Sequence, residues 1–239
     1  IVMEEKKNSI NQFNKCECKD CVIRSLYFAN IRQHEVESLC QLKKEKYYKK
    51  GEVVFKSNEE IDSLIYLKSG LVKYFTVFPD GKNQIITISK PFDTISLLTV
   101  FNEKKSLYNL TAIEDSEICF IPLNHIDKLV QSNGDFAKDF VSKVIKASND
   151  VIERLMTINS KNLRGRIAFV LFEFSENIYK KSIFELPVSR KEIGEMIGMT
   201  TENVIRTLSE FRKEKLIRIN GKEIEILEKE RLKKIALYG

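Results

Sequence analysis

The stretch that most constrains the fold is residues 189–217, SRKEIGEMIGMTTENVIRTLSEFRKEKLI, which predicts two short helices joined by a tight turn. Ser189 and Glu192 have the spacing of a capping box, in which each side chain satisfies a backbone N–H at the start of the first helix. Gly198 stands where that helix must end, because glycine adopts the left-handed conformation without steric cost. Thr200 then caps the second helix.

The second helix has one apolar face and one face suited to DNA. Val204, Leu208 and Phe211 repeat at helical spacing and are predicted to point inward. The opposite face carries side-chain types that can contact base edges, with arginine pairing to guanine, glutamate to cytosine and an aliphatic group to the thymine methyl. Two capped helices are also a common packing unit, so this pattern alone does not establish a DNA-binding role.

The segment after these helices predicts a β-hairpin, in which strands 216–219 and 223–227 flank the turn pair Asn220-Gly221. Such a hairpin is the wing of a winged helix-turn-helix. Residues 160–239 carry 17 Lys or Arg against 12 Asp or Glu, a surplus that suits a polyanionic partner. The predicted DNA contacts are Ser189, Arg190, Lys191, Thr200, Thr201, Glu202, Ile205, Arg206, Ser209 and Lys222.

The middle of the chain has the sequence pattern of an all-β domain. Short runs of β-branched and aromatic residues alternate with turn signals between residues 45 and 123, which favours a closed jelly roll. We therefore expect an α+β fold of four parts. These are an N-terminal cysteine-containing segment and helix (1–44), a β jelly-roll sensor domain (45–123), a dimerisation helix region (124–160) and a winged helix-turn-helix DNA-binding domain (161–239).

Residues 135–159 predict one long helix with two apolar stripes. Two stripes imply contacts on two sides, one of them with a second protomer. We assign the second stripe (Phe136, Val141, Ile145 and Ile152) to packing against the β domain. The predicted homodimer interface is the near-heptad stripe of Phe140, Val144, Ala147, Val151 and Leu155.

Several classes of protein are excluded by what the sequence lacks. No apolar run reaches the ~18 residues of a membrane span, and the polar N-terminal stretch does not resemble a signal peptide, so we expect a cytoplasmic protein with no membrane partner. Hydrolase, metalloprotease and nucleotide-binding motifs are absent, and the two histidines lie in polar helical contexts. We therefore expect that the protein is not an enzyme.

A jelly roll, a long helix and a winged helix-turn-helix, in this order, resemble the CRP/FNR family of bacterial transcription regulators. The resemblance covers residues 18–234 and is carried by KKGEVVF (49–55), DSEICFIP (115–122) and a recognition helix in which Glu202 and Arg206 match the family pattern E-x-x-S/G-R. It implies a homodimer that binds double-stranded DNA at a pseudo-palindromic operator with TGA-type half-sites and also contacts RNA polymerase. The alternative is an effector-independent or protein-docking regulatory module without specific DNA binding.

The predicted effector site departs from the cyclic-AMP branch of this family. That branch has a G-E pair for the ribose and an R-S pair for the phosphate, where this chain has Ser96-Leu97 and Leu107-Tyr108. Without the arginine, the charge of a partly buried phosphate would be uncompensated. We predict that cyclic AMP is not the effector, which leaves a redox or other small-molecule signal open.

The cysteines resemble those of the oxygen-sensing FNR branch, in which they hold an iron–sulfur cluster. Residues 18–21 match the C-x2-C part, Cys119 matches the distant ligand, and the remaining family cysteine falls on Tyr27, for which Cys16 is the candidate substitute. Cys40, on an apolar helical face, is predicted to be a packed core thiol. Zinc binding, thiol switching and an unliganded segment stay open. The candidate metal ligands are Cys16, Cys18, Cys21 and Cys119.

Overall fold

The computed structural model describes residues 22–95 and 105–239. The helices are α1 (Val22–Tyr27), α2 (Gln33–Leu42), α3 (Leu123–Ser132), α4 (Gly134–Asn159), α5 (Leu163–Phe172) with a π-helical continuation (Glu173–Tyr179), α6 (Arg190–Ile197), α7 (Thr201–Lys213) and α8 (Lys229–Tyr238). The strands are β1 (Lys44–Tyr48), β2 (Val53–Phe55), β3 (Ser63–Ser69), β4 (Val72–Val77), β5 (Asn83–Ser89), β6 (Asn109–Ala112), β7 (Ser116–Pro122), β8 (Ile183–Glu185), β9 (Ile217–Asn220) and β10 (Glu223–Ile226).

The first seven strands form the predicted β domain as two antiparallel sheets, ordered β1-β7-β3 and β2-β6-β4-β5. Ile65 and Leu67 of the first sheet share one core with Val72 and Leu110 of the second, so the sheets pack face to face. The sequence KEKYY of β1 was not predicted as a strand, because it lacks an apolar run and is placed only by its pairing with β7.

The outer face of the β1-β7-β3 sheet is covered by helices. Tyr66, fully buried, packs there with Phe28, and the Phe28 ring stacks on Phe136 at 5.9 Å between ring centroids. Phe136 and Phe140 are buried in this same cluster, so the start of α4 is fixed to its own β domain. Strand β3 is therefore buried on both faces, which explains why its sequence is apolar almost throughout.

This packing corrects the predicted dimer stripe at Phe140, whereas Phe136 of the second stripe packs against the β domain as predicted. Phe140 is only 2% exposed, so it is unavailable to a partner protomer, while Val144 and Ala147 pack partly against the same cluster. The physical reason is that the face of α4 on the β domain combines Phe136 of the second stripe with Phe140, Val144 and Ala147 of the predicted dimer stripe. The large apolar side chains left exposed on α4 are Val141, Ile145, Ile152, Leu155 and Met156.

The C-terminal unit packs directly on the second sheet of the β domain. Leu71, Ile85 and Ile113 of the β domain belong to the same apolar cluster as the buried side chains of the C-terminal helices. Two polar contacts join the units. Lys73 Nζ lies 2.5 Å from Glu192 Oε1, and Gln84 Nε2 donates to the carbonyl of Glu195 at 2.7 Å.

Across residues 22–95 and 105–239, no helix combines the length and the apolar character needed to span a membrane.

Candidate nucleic-acid interface

The helix-turn-helix begins with the predicted capping box. The Ser189 backbone N–H donates to Glu192 Oε2 at 2.7 Å, and the Glu192 N–H donates to Ser189 Oγ at 3.2 Å. Because its other carboxylate oxygen contacts Lys73, Glu192 connects the start of α6 to strand β4. Burial acts to raise the pKa of Glu192, but the hydrogen bonds from Lys73 and Ser189 outweigh it, and the pKa is lowered.

The turn between the two helices has the predicted geometry. Gly198 ends α6 with φ +66 and ψ 42, the left-handed conformation that its sequence position required. Thr200 caps α7 by accepting from the Asn203 N–H at 3.3 Å. The side-chain oxygens of Ser189 and Thr200, both predicted DNA contacts, are therefore used as helix caps, so these residues position backbone N–H groups at the helix starts.

Helix α7 presents the predicted division of faces. Val204, Leu208 and Phe211 are buried against the C-terminal core. Ile205 is 51% exposed and Glu202 is exposed one turn earlier, while Thr201 and Ser209 are half-buried on the flanks. We call Glu202, Ile205 and Arg206 the reading face, because these three exposed side chains are the ones that could reach base edges.

Both charged side chains of the reading face interact with neighbouring groups on α7 or at its start. Glu202 lies in the first turn of α7, where its own backbone N–H and the Thr200 hydroxyl lower the pKa of its carboxyl group. The Arg206 guanidinium donates to Asn203 Oδ1 at 3.0 Å and lies 4.0 Å from Glu210. The sequence pattern did not identify Asn203 as a partner of Arg206, although the three-residue spacing on a helix permits the contact.

The wing has the predicted hairpin shape with a shifted turn. Asn220 pairs with Glu223, so the two-residue loop is Gly221-Lys222 instead of Asn220-Gly221. Gly221 has φ +61, which places the glycine at the first loop position. A third strand, β8, extends this sheet in the order β8-β10-β9 and was not predicted, because it is only three residues long.

Cationic side chains flank the reading face on the first helix and on the wing. Arg190 donates from Nη2 to the carbonyl of Gly221 at 3.3 Å, which brings the start of α6 to the tip of the wing. Burial lowers the pKa of Arg190, yet a guanidinium remains cationic at neutral pH. Lys191 and Lys222 are exposed. These groups suit contacts with phosphates, which position a protein on DNA without reading its sequence.

A second candidate site is a cavity of about 380 Å³ between α4 and the β domain. Its charged lining is mixed, with Lys143, Lys146, Asp93 and Asp150, and the described part of the chain contributes no arginine to it. Burial raises the pKa of Asp93, against the hydrogen bond from the Lys90 backbone.

The four residues that replace the cyclic-AMP motifs fall in three places. Tyr108 lines the cavity, with its ring edge toward Tyr74 at 6.4 Å between centroids. Leu107 is exposed to solvent and is not among the lining residues. Ser96-Leu97 lie outside the described residues.

The predicted thiolate site can be followed only in part. Cys119 is buried in β7, whereas Cys16, Cys18 and Cys21 lie outside the described residues. Within residues 22–95 and 105–239, no three His, Cys, Asp or Glu side chains form a group that could hold a metal ion. Tyr27, at the family's remaining cysteine position, packs its ring against Tyr66 at 4.8 Å and donates to the carbonyl of Phe92 at 3.1 Å.

Comparison with known proteins gives matches for both units. Residues 45–133 match the cyclic nucleotide-binding domain, and residues 165–235 match the Crp-like helix-turn-helix domain. The chain is 27% identical over 228 residues to the fumarate and nitrate reduction regulatory protein of Yersinia pestis, covering 92% of this chain and 90% of that protein. It is 26% identical over 221 residues to the transcriptional activator protein Anr of Pseudomonas protegens, covering 90% of each.

Solved structures resemble the whole arrangement. FixK2 from Bradyrhizobium japonicum superimposes with a TM-score of 0.74 at 21% identity, covering 82% of this chain and 98% of that one. A CRP/FNR-family transcriptional regulator from Thermus thermophilus gives a TM-score of 0.66 at 20% identity, covering 81% and 98%. At these identities the structural similarity supports the fold, whereas membership of a family rests on the sequence matches given above.

Proposed function

The chain belongs to the CRP/FNR family of transcription regulators, and from that premise we propose how it reads DNA and what it senses. It is a DNA-binding transcription regulator and not an enzyme. We propose that Arg206 binds a guanine, Glu202 accepts from a cytosine amino group and Ile205 contacts a thymine methyl, within a TGA-type half-site. The observation that carries this proposal is the exposure of all three on one face of a capped helix whose other face is buried.

Phosphate contacts are proposed for the flanking residues. Arg190, Lys191 and Lys222 supply positive charge, and the helix starts capped by Ser189 and Thr200 supply backbone N–H groups. Thr201 and Ser209 lie beside the reading face, where their hydroxyls suit phosphate or base-edge hydrogen bonds.

The family forms dimers, and we propose that this chain dimerises through the exposed stripe of α4. The stripe comprises Val141, Ile145, Ile152, Leu155 and Met156, with Val144 at its border. Exposed apolar side chains of this number on one helix are costly in water and support an interface with a second copy. RNA polymerase is proposed as the further partner on the strength of the family alone.

The signal is proposed to be redox. A cyclic nucleotide is disfavoured because the described lining of the 380 Å³ cavity offers no arginine to a phosphate, and its two lysines, Lys143 and Lys146, are matched in number by Asp93 and Asp150. The relatives named for fumarate and nitrate reduction support a thiolate-bound iron–sulfur cluster, with Cys119 and the N-terminal cysteines as ligands. When bound, such a cluster supplies oxygen-sensitive redox chemistry.

The DNA-binding proposal is tested with the full chain. Fluorescence anisotropy would compare a duplex that carries two inverted TGA-type half-sites with a scrambled duplex of equal composition, at one salt concentration. We expect the specific duplex to bind at least about 10³-fold more tightly, the lower end for specific DNA-binding proteins. Equal affinity for both duplexes would contradict sequence-specific recognition and favour a protein-docking module.

A further inference from the structure

Asn203 lies beside the reading face, on the first turn of α7. Its backbone N–H donates to Thr200 Oγ1 at 3.3 Å, so the helix cap holds its backbone in place, and the residue is half-buried. An α-helix turns by about 100° per residue, which places Asn203 about 60° from Arg206, whereas Ile205 lies about 100° from Arg206 in the opposite direction. Asn203 is therefore at least as close to Arg206 on the helix surface as Ile205 is.

The contact with Arg206 fixes which way the Asn203 amide is turned. A guanidinium group only donates hydrogen bonds, so the amide atom that accepts from Arg206 Nη2 at 3.0 Å must be the oxygen, Oδ1. The amide nitrogen, Nδ2, carries two N–H donors, and Oδ1 has a second lone pair. The amide can therefore hold Arg206 and still offer one donor and one acceptor to a further group.

Glu210, the other neighbour of Arg206, is already held by a different helix. One of its carboxylate oxygens lies 4.0 Å from Arg206 Nε, and the other lies 3.2 Å from Nη1 of Arg164 on α5. The Arg164 guanidinium lies over the Phe211 ring, 4.8 Å from its centroid. Glu210 is thus anchored to α5, which leaves Asn203 as the neighbour of Arg206 that is suited to contact DNA.

The TGA-type half-site proposed above contains one base pair without an assigned contact. Ile205 is assigned to the thymine, and Arg206 and Glu202 are assigned to the guanine and the cytosine of the next pair, which leaves the adenine. An asparagine amide matches adenine, because Nδ2 can donate to N7 while Oδ1 accepts from the N6 amino group. Around the helix, the order Ile205, Arg206, Asn203 is also the order of T, G and A in the half-site.

We propose that Asn203 is a further specificity-determining residue, which reads the adenine of the half-site through both polar atoms of its amide. This inference rests on the assignment of Arg206 to the guanine in the proposed function. Because Oδ1 can accept from Arg206 and from the adenine amino group together, the contacts to the two adjacent bases support each other.

The test uses the full chain and four duplexes that differ only at the adenine pair of one half-site, which is A·T, G·C, C·G or T·A. Anisotropy titrations at one salt concentration give the preference for A·T, and a fifth duplex with the guanine pair changed gives the preference for guanine. We expect Asn203→Ala to lower the preference for A·T by roughly 5- to 150-fold, the usual range for a bidentate base contact, and the guanine preference by less.

Two conservative variants separate base reading from a purely structural role. Asn203→Gln carries the same amide and should keep the preference for A·T. Asn203→Asp keeps an acceptor for Arg206 but has no N–H to donate to adenine N7, so the preference should shift from adenine to cytosine, whose amino group suits a carboxylate.

Glu210→Ala is the matched control, since it removes the other neighbour of Arg206 and should leave the preference for A·T unchanged. If Asn203→Ala keeps the wild-type preference for A·T, or weakens binding to all four duplexes equally, the reading of adenine by Asn203 is overturned while the assignment of Arg206 stands. Wild-type protein that binds the TGA-type and scrambled duplexes equally would overturn both the proposed half-site and this inference.

Discussion

Arg206 is tethered by two neighbours on its own helix. Asn203 accepts one hydrogen bond from the guanidinium, and Glu210 lies within ion-pair distance. Both partners are on α7, so Arg206 can exchange them for a base edge without a change in the fold. The side chain is 63% exposed in this arrangement, which leaves its fork of donors accessible.

Arg206→Ala is expected to weaken binding to a TGA-type duplex by about 1–3 kcal/mol, the usual value of a bidentate contact between arginine and guanine. Binding to scrambled DNA should change little, because the contact reads a base. Anisotropy titrations of both duplexes at equal salt measure the two effects.

Arg212→Ala is the matched control for this prediction. Arg212 is exposed and has the same charge, but it lies six residues further along α7, on another face. An equal loss from both substitutions on both duplexes would show that Arg206 contributes only charge.

Single residues were predicted from the sequence to different extents. The caps at Ser189, Gly198 and Thr200 depend on local backbone geometry, so the pattern identified them. Lys73, the partner of Glu192, is distant in sequence, and the two residues meet only through the tertiary fold. No periodicity in one segment contains that information.

The α4 helix shows where pattern reading fails at the scale of an element. Both apolar stripes were visible in the sequence, but which one packs against the β domain depends on how Phe136 and Phe140 meet Phe28 and Tyr66. Stripe composition could not decide this, because aliphatic side chains suit an intramolecular core and a dimer interface equally.

Ile145→Asp or Ile152→Asp should therefore convert the dimer to monomers. Each substitution places a charge on the exposed stripe, where it would be buried without a partner when two copies associate. An uncompensated buried charge typically costs about 3–5 kcal/mol. Sedimentation velocity measures the change in mass, and we expect binding to a two-half-site duplex to be lost with it.

Ser142→Asp serves as the control on the same helix, since Ser142 is exposed and lies off the centre of the stripe. If Ile145→Asp and Ile152→Asp both stay dimeric and bind the two-half-site duplex normally, the interface lies elsewhere on the chain.

The start of α6 gives a pH-dependent prediction. Glu192→Gln keeps an acceptor for the Ser189 N–H but removes the charge that pairs with Lys73, so the free energy of unfolding at neutral pH should fall by about 1 kcal/mol or less. Because the pKa of Glu192 is lowered in the folded chain, this contribution is fully present above the ordinary value of 4.5 and is lost as pH falls through the lower folded pKa.

Denaturant unfolding of both proteins between pH 7 and pH 3, at one protein concentration, tests the expected convergence. A double-mutant cycle with Lys73→Met separates the ion pair from other effects of each substitution. A difference between wild type and Glu192→Gln that stays constant down to pH 3 would mean that the carboxylate charge does not stabilise this contact.

At the scale of the whole molecule, the proposed two-fold dimer with one reading face per protomer predicts the geometry of the operator. The two recognition helices must enter successive major grooves on one side of the duplex, so half-site centres are expected about 10–10.5 bp, or roughly 34–36 Å, apart.

Duplexes with the spacer between half-sites lengthened in single steps measure this requirement. Affinity should be lowest near five added base pairs, where the second half-site faces away from the dimer, and should partly return near a full turn. Affinity that is independent of spacing would indicate that each protomer binds alone.

The apolar cluster shared by Leu71, Ile85 and Ile113 with the C-terminal helices also limits how freely this regulator can be recombined. A DNA-binding unit grafted from a relative would place a foreign surface against these three side chains and would lack the partners of Lys73 and Gln84. Chimeras of such regulators should therefore exchange the unit together with the sheet surface beneath it, because the boundary along the chain is not the boundary of the core.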